Sequence, residues 1–295
     1  MEAHPDTLDE NLWIRGTYPD FEEVKVGYRN NHVFIITAGQ TLKDVFPDWV
    51  KQTQLCKSQY TPNDANFCSK IPRREFLNAA YEVDPPLTQF GQHLAIVIGK
   101  KLKTYKIKPT KVISGPSLQC LETAAYLGCI FENYSSTSIE PGLWGEFKSV
   151  DSGFLLTKRE AIKSGLDLNK HYKPKVDLDK ADPGNWRDWQ LRTVHIFEEL
   201  LDENDGNVLF IVDQLTAKTL LTHVIYGHST FKSEEAFLNL ESISKGVCVA
   251  ISRGGQDKQQ KLSLSKNLFP GCTSTLGQIG VDYDRLDNDV YTIVD

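Results

Sequence analysis

The sequence predicts an α/β domain in which a mostly parallel sheet is covered by helices on both faces. Three observations lead there. Two short apolar runs rich in β-branched residues, HVFIIT from His32 and VLFIV from Val208, read as strands buried on both sides. Segments with apolar residues at helical spacing alternate with such strands. A chain of 295 residues with 40% hydrophobic and 24% charged residues can also fill a sizeable core.

In chain order, residues 1–31 read as an N-terminal arm, in which Trp13, Tyr18 and Phe21 stand among charges without a clear period. The first strand runs from His32 to a turn at Ala38-Gly39. Residues 41–86 mix aromatics, prolines and polar stretches, and read as an insertion or cap. Thr88 then caps a helix whose apolar positions are Phe90, Leu94, Val97, Ile98 and Leu102. Lys111–Ser114 is a short strand, and Ser117 is the N-cap of a helix through Leu118, Leu121, Ala125 and Leu127. A strand at Thr137–Ile139 leads into Glu140-Pro141-Gly142-Leu143, after which residues 144–185 form a second irregular insertion. Trp186–Leu201 is an amphipathic helix with Trp186 and Trp189 over the core, Val208–Val212 a buried strand, and Leu215–Tyr226 the next helix. Val247–Arg253 and Lys261–Ser265 read as late edge strands around Gly254-Gly255. One domain over residues 32–295, with insertions at 41–86 and 144–185, follows.

The formal charge of −6 excludes a protein that holds nucleic acid by bulk positive charge. The first twenty residues are acidic and lack a basic n-region and an apolar h-region, and no apolar run approaches the roughly 20 residues of a membrane span. A cytoplasmic or nuclear protein is expected. Six cysteines (Cys56, Cys68, Cys120, Cys129, Cys248, Cys272) lack metal-ligand spacing and read as ordinary thiols, so no metal or cofactor is expected. Asn133-Tyr134-Ser135 fits the glycosylation pattern and, without secretion, reads as accidental.

In sheets of this kind ligands bind beyond the carboxyl ends of the strands. The residues predicted there are Thr37, Gln40, Ser117, Gln119 and Gln214, which hydrogen bond but carry no charge. The nearest charges in sequence, Asp213, Glu122 and Glu146, repel phosphate. None of the seven histidines falls at a strand end. His32 begins its strand, about 16 Å from the carboxyl edge.

The local strings and their order resemble the histidine phosphatase superfamily, with its phosphoglycerate mutase-like fold, and specifically its Sts and ecdysteroid-phosphate phosphatase branch. IITAGQTLKDVFPDWV is similar to the segment with Arg-His-Gly-Glu after the first strand, and DPPLTQFGQHLAIVIGKKL to the helix opening that follows it. VISGPSLQCLETA resembles Ser-Pro-Ser-x-Arg-Cys-x-Gln-Thr-Ala, IEPGLWGEF the Glu-Pro-Gly-Leu segment, and NVLFIVDQLTA the strand that ends in the second histidine. The resemblance covers about residues 32–226. It implies attack on phosphorus by the first histidine, arginines and a second histidine clamping the phosphoryl oxygens, and a carboxylic acid protonating the leaving group. Carried over, the first arginine falls on Thr37, the nucleophilic histidine on Ala38, the second arginine on Gln119 and the second histidine on Gln214. The acid falls on Gly145, or on Glu146 with a shift of one. Gly39 and Ser117 are retained, and Arg192 matches a neighbouring arginine; Ser117 and Arg192 are the residual anion contacts.

With Ala38 in place of the nucleophile, the sequence leads to the expectation of a catalytically inactive pseudophosphatase. It would act as a protein-binding scaffold or regulatory subunit, with homodimerisation implied by the resemblance. The alternatives are a sensor holding a metabolite or phosphopeptide in the neutral pocket, and a component of an RNA-associated or nuclear complex. The candidate partner surface is the cluster Lys100, Lys101, Lys103, Lys106, Lys108 and Lys111 at a helix end, together with Trp13.

Overall fold

A computed structural model describes residues 32–53, 55, 60–74, 77–132, 134–145, 154–177, 185–226, 243–254, 261–264, 272–275 and 278–281. Residues 1–31, with Trp13, Tyr18 and Phe21, and also Glu146, Cys56 and Asn133, lie outside the described residues.

Strands without a polar face must be covered on both sides. β1 (His32–Thr37) and β4 (Val208–Val212) are buried at every position. They pair in parallel from Val33 opposite Val208 to Thr37 opposite Val212. β2 (Lys111–Ser114) pairs in parallel with β4, and β3 (Ser138–Ile139) with β2. β5 (Cys248–Gly254) returns antiparallel on the other side of β1 and continues to β6 (Lys261–Leu264). The six-stranded order is therefore β3-β2-β4-β1-β5-β6. The sequence reading made β5 an edge strand; it lies inside the sheet, and β6 is the edge. A separate antiparallel pair, β7 (Cys272–Thr275) and β8 (Gln278–Val281), is one the weakly apolar sequence there does not predict.

Alternate residues of each strand feed two cores. Numbered in chain order, the helices are α1 (Leu42–Val45), α2 (Trp49–Gln52), α3 (Leu77–Val83), α4 (Gln89–Thr104), α5 (Leu118–Gly128), α6 (Lys158–Lys163), α7 (Trp186–Asp202) and α8 (Gln214–Tyr226). Phe34, Ile36, Leu209 and Ile211 pack under α4 and α5 through Ile98, Leu102, Ala124 and Leu127. Val33, Ile35, Phe210 and Val212 pack under α7 and α8 through Phe197, Leu200, Ala217 and Leu220. α4 begins as expected, with Thr88 Oγ1 accepting from the Gly91 amide at 2.9 Å. Of its five predicted apolar positions Phe90 is exposed and the other four are buried. α7 is closed by Asn185, which accepts from the Arg187 and Asp188 amides, and its Trp189 is fully buried.

The segment read as irregular between 41 and 86 carries α1, α2 and α3 and builds a third core. Trp49, Phe67 and Tyr81 pack there with Leu118 and Leu121 of α5 and with Leu156 and Ala161 of the second insertion. No helical period announces it because its helices are short, four to seven residues. No helix among the described residues is long and apolar enough to cross a membrane.

α4 ends in a Schellman turn. Ile107 N donates to Leu102 O and Lys106 N to Lys103 O, both at 2.9 Å, while Leu102 and Ile107 meet in the core. The turn needs a left-handed residue, normally glycine, and here Lys106 holds it at φ 55°. Replacing Lys106 by Gly is expected to raise stability by about 0.5–1 kcal/mol. A urea midpoint unchanged or lower in Lys106→Gly would count against this strain.

Candidate functional site

The carboxyl ends of β1 and β4 and the first turn of α5 meet one short loop, residues 243–247, which feeds β5. Thr37 Oγ1 donates to Ser244 O at 2.9 Å and accepts from Val247 N at 2.7 Å. The Ala38 carbonyl accepts from Gly246 N at 3.1 Å. Gln214 Nε2 donates to Ile243 O. Gln119 Oε1 accepts from Lys245 Nζ at 3.2 Å, and the same ammonium reaches Asp44 Oδ2 at 2.6 Å. Thr37, Ala38, Gln119 and Gln214 all bond to this one loop. Thr37 is fully buried and, like Gln214, bonds to the loop backbone. Buried polar groups take partners, and the loop provides them.

Lys245 is the residue the sequence reading missed. Its ammonium sits beside Gln119, the position on which the resemblance sets an arginine, and it comes from a loop 126 residues away in sequence. Burial opposes ionisation of Asp44, yet the bonds from Lys245 and Thr41 hold its carboxyl below the usual range. Around this pair lie Gln40, whose Oε1 accepts from Thr88 Oγ1 at 3.0 Å, and Asn66, whose Nδ2 approaches Gln40 Oε1 at 3.5 Å.

Gly145 is fixed by sterics. A Cβ there would lie 2.1 Å from Asp213 Oδ1, and the Gly145 amide donates to Asp213 Oδ2 at 2.7 Å. Position 145 cannot seat an acid without moving Asp213. Burial raises the Asp213 carboxyl above its ordinary value, against the donors Thr216 and Gly145. Arg192 is half-buried on α7. Ser117 stands at the N-cap position of α5 but makes no capping bond with its side chain. The cap comes instead from Asp84, whose Oδ1 accepts from Leu118 N at 2.7 Å.

Two glycines bring the strand end against α4: a Cβ on Gly91 would lie 2.3 Å from Gln40 O. Gly39 N donates to Thr123 Oγ1 of α5 at 3.0 Å. Beneath this contact Glu122 Oε2 accepts from Leu87 N at 2.7 Å. Burial, with Asp84 nearby, pushes the Glu122 carboxyl up to about 8, so the expected repelling charge is a neutral acid at neutral pH. The motif carries a glutamine there, also neutral. Among the described residues no group of three or more His, Cys, Asp or Glu could hold a metal.

No family model matches the chain. It is 25% identical over 198 residues to the ecdysteroid-phosphate phosphatase of Drosophila melanogaster, covering 65% of this chain and 26% of that protein. It is 26% identical over 218 residues to human ubiquitin-associated and SH3 domain-containing protein B, covering 71% of this chain and 34% of that protein. The chain thus spans about a quarter to a third of the relatives' length. Its fold is similar to that of the ecdysone phosphate phosphatase of Bombyx mori in complex with tungstate, with a TM-score of 0.67 and 22% identity over 87% of this chain and 99% of that one. The phosphoglycerate mutase-like α/β fold expected from the sequence is the one observed. The expectation that the chain is no enzyme is corrected by the same comparisons: the ecdysteroid-phosphate phosphatases among the similar proteins point to enzyme activity. Ala38 excludes a phosphohistidine at that position, since a methyl group cannot take up a phosphoryl group.

The buried Glu122 sets a pH dependence. Its folded value, about 8, lies above its ordinary 4.5, so the folded state keeps a proton that the unfolded chain releases. Stability from this group is complete below about pH 4.5 and is lost as the pH rises towards 8. Glu122→Gln keeps the acceptor for Leu87 and removes the proton. The stability of the variant relative to wild type is expected to rise by on the order of 3 kcal/mol between about pH 5 and pH 8. Parallel pH profiles in urea unfolding would remove Glu122 from the account.

Proposed function

We propose, for a chain that belongs to the histidine phosphatase superfamily in its ecdysteroid-phosphate phosphatase and Sts branch, that the strand ends recognise a phosphate monoester with Lys245 as the principal cation. The observation that carries this reading is the ammonium of Lys245 beside Gln119, bonded at 3.2 Å. A positive charge lost from position 119 is supplied from the loop before β5. Thr37, Ala38 and Gln214 shape the site by holding that loop, and the partly exposed Gln40 and Asn66 form its polar wall. Arg192 and Ser117 are the further anion contacts of the reading. Phosphoester chemistry is the class to which the ecdysteroid-phosphate phosphatases among the similar proteins point. On this chain it proceeds without a phosphohistidine at residue 38.

Phenyl phosphate and inorganic phosphate test the proposal. A ligand that binds the folded state raises the melting temperature with its concentration. Wild type is expected to gain stability from both, with the effect abolished in Lys245→Met and retained in the distant Lys163→Met. Phosphate release from phenyl phosphate, followed in the same samples, is expected to show the same dependence on Lys245. Stabilisation of equal size in wild type and Lys245→Met overturns the assignment, as does the absence of any stabilisation by either anion.

A further inference from the structure

The face at the end of α4 combines three features independent of the strand ends. The first is charge: Lys103, Lys106 and Lys108 are exposed within a run of six residues in a chain of net charge −6. Lys111 is not part of this face: its Nζ lies 5.2 Å from the centre of the Tyr172 ring, which packs against the core on the other side of the sheet. The second is a cavity of about 210 Å³ lined by Lys103, Lys108, Pro109, Phe131, Glu132 and Tyr134. The third is backbone strain. Lys106 occupies a left-handed position that glycine would fill more cheaply, so a lysine is kept there against local stability.

The helix macrodipole accounts for lysines in the last turn of α4, Lys101 and Lys103. It accounts neither for Lys106 at a left-handed position nor for Lys108 beyond the turn. The cavity decides the size of what is bound. Pockets for drug-sized ligands run to roughly 300–1,000 Å³, and this one has room for about one side chain. Its floor is apolar: Phe131 and Tyr134 lie nearly parallel, with centroids 6.0 Å apart and planes at 19°. They are not a stacking platform for bases, because the Tyr134 ring is pressed against α5, where a Cβ on Gly128 would fall 2.3 Å from it. Lys103 is held at the rim by a bond from its Nζ to Ile130 O at 3.2 Å.

We infer that this face docks an acidic peptide segment of a partner protein, with one apolar side chain in the Phe131–Tyr134 cavity and flanking carboxylates on Lys103, Lys106 and Lys108. Glu132 at the rim disfavours an acidic anchor, so the anchoring side chain is uncharged. Complementarity of this kind governs the association rate and its salt dependence, and the apolar anchor governs residence.

The probe is a fluorescein-labelled peptide of glutamates flanking one leucine, with fluorescence polarisation on the full chain. Wild type is expected to bind it in the micromolar range. Binding should weaken at least tenfold in Lys103→Glu/Lys108→Glu and on raising salt to 0.5 M, and severalfold when serine replaces the leucine. The exposed control pair Lys70→Glu/Lys163→Glu should bind as wild type does. All these lysines are exposed, so circular dichroism and melting temperature should match across the variants. Peptide affinity unaffected by the Lys103/Lys108 reversal overturns the inference. So does a labelled ten-nucleotide oligouridine that binds more tightly than the peptide, since that would assign the face to nucleic acid.

Discussion

The carboxylate of Asp84 is shared between two buried donors, the Leu118 amide at the start of α5 and the guanidinium of Arg74, each at 2.7 Å. Both side chains of the ion pair are only 3% exposed. Arg74 also donates to the carbonyls of Ala80, Asp84 and Phe154, and its guanidinium lies 4.9 Å from the centre of the Tyr81 ring. Four stretches of chain are thereby tied at one point: the segment before α3, α3 itself, the opening of α5 and the second insertion. Removing one member of such a pair leaves a buried charge uncompensated, at a cost of about 3–5 kcal/mol. The position of the cap over the strand ends depends on this junction, and so do the Thr41–Leu87 bridge and the Gly39–Gly91 contact above Glu122.

The same junction limits what the site can do. A helix N-terminus attracts anions through its free amides. At α5 the Leu118 amide already serves a protein carboxylate, so an incoming phosphate has less to gain there. Replacement of charged residues at the strand ends acts in the same direction. Thr37 and Gln214 bond to the backbone of residues 243–247, and that loop in turn delivers Lys245 to Gln119. The neutral residues at positions 37 and 214 act on the site indirectly, through the loop that carries its cation.

The sheet was legible in the sequence because the information is local. HVFIIT and VLFIV carry no polar alternation, and Thr88, three residues before Gly91, has the spacing of an N-cap. The cap was not legible, since Trp49, Tyr81, Leu118 and Leu156 are brought together only by tertiary packing. Burial misled twice. Glu122 reads as a charge in sequence and is neutral in its folded site, and Ser117 reads as the cap of α5 although Asp84, 34 residues before Leu118, does that work. Lys245 lies in the stretch SISKGV, which has no motif; only the pairing of β5 with β1 carries it to the strand ends. The ecdysteroid-phosphate phosphatases among the similar proteins corrected a step that ran from one residue, Ala38, to the absence of enzyme activity.

A lysine reaching in from a loop is not equivalent to an arginine at position 119. Arginine presents a planar fork that grips two phosphate oxygens at once, whereas an ammonium is a compact point charge with three donors. Two of those donors are engaged, by Gln119 and Asp44. The pair with Asp44 is partly exposed, 19% for Lys245 and 37% for Asp44, and contacts of that kind are worth at most about 1 kcal/mol. An anion can therefore compete for the ammonium at small cost, but it must tolerate the Asp44 carboxylate close by. A ligand that gains from Lys245 while lying away from Asp44 is favoured over one that needs two cations at once. On the proposal of phosphate binding, the remaining bulk of such a ligand would extend past Gln40 and Asn66, which are partly exposed, polar and uncharged.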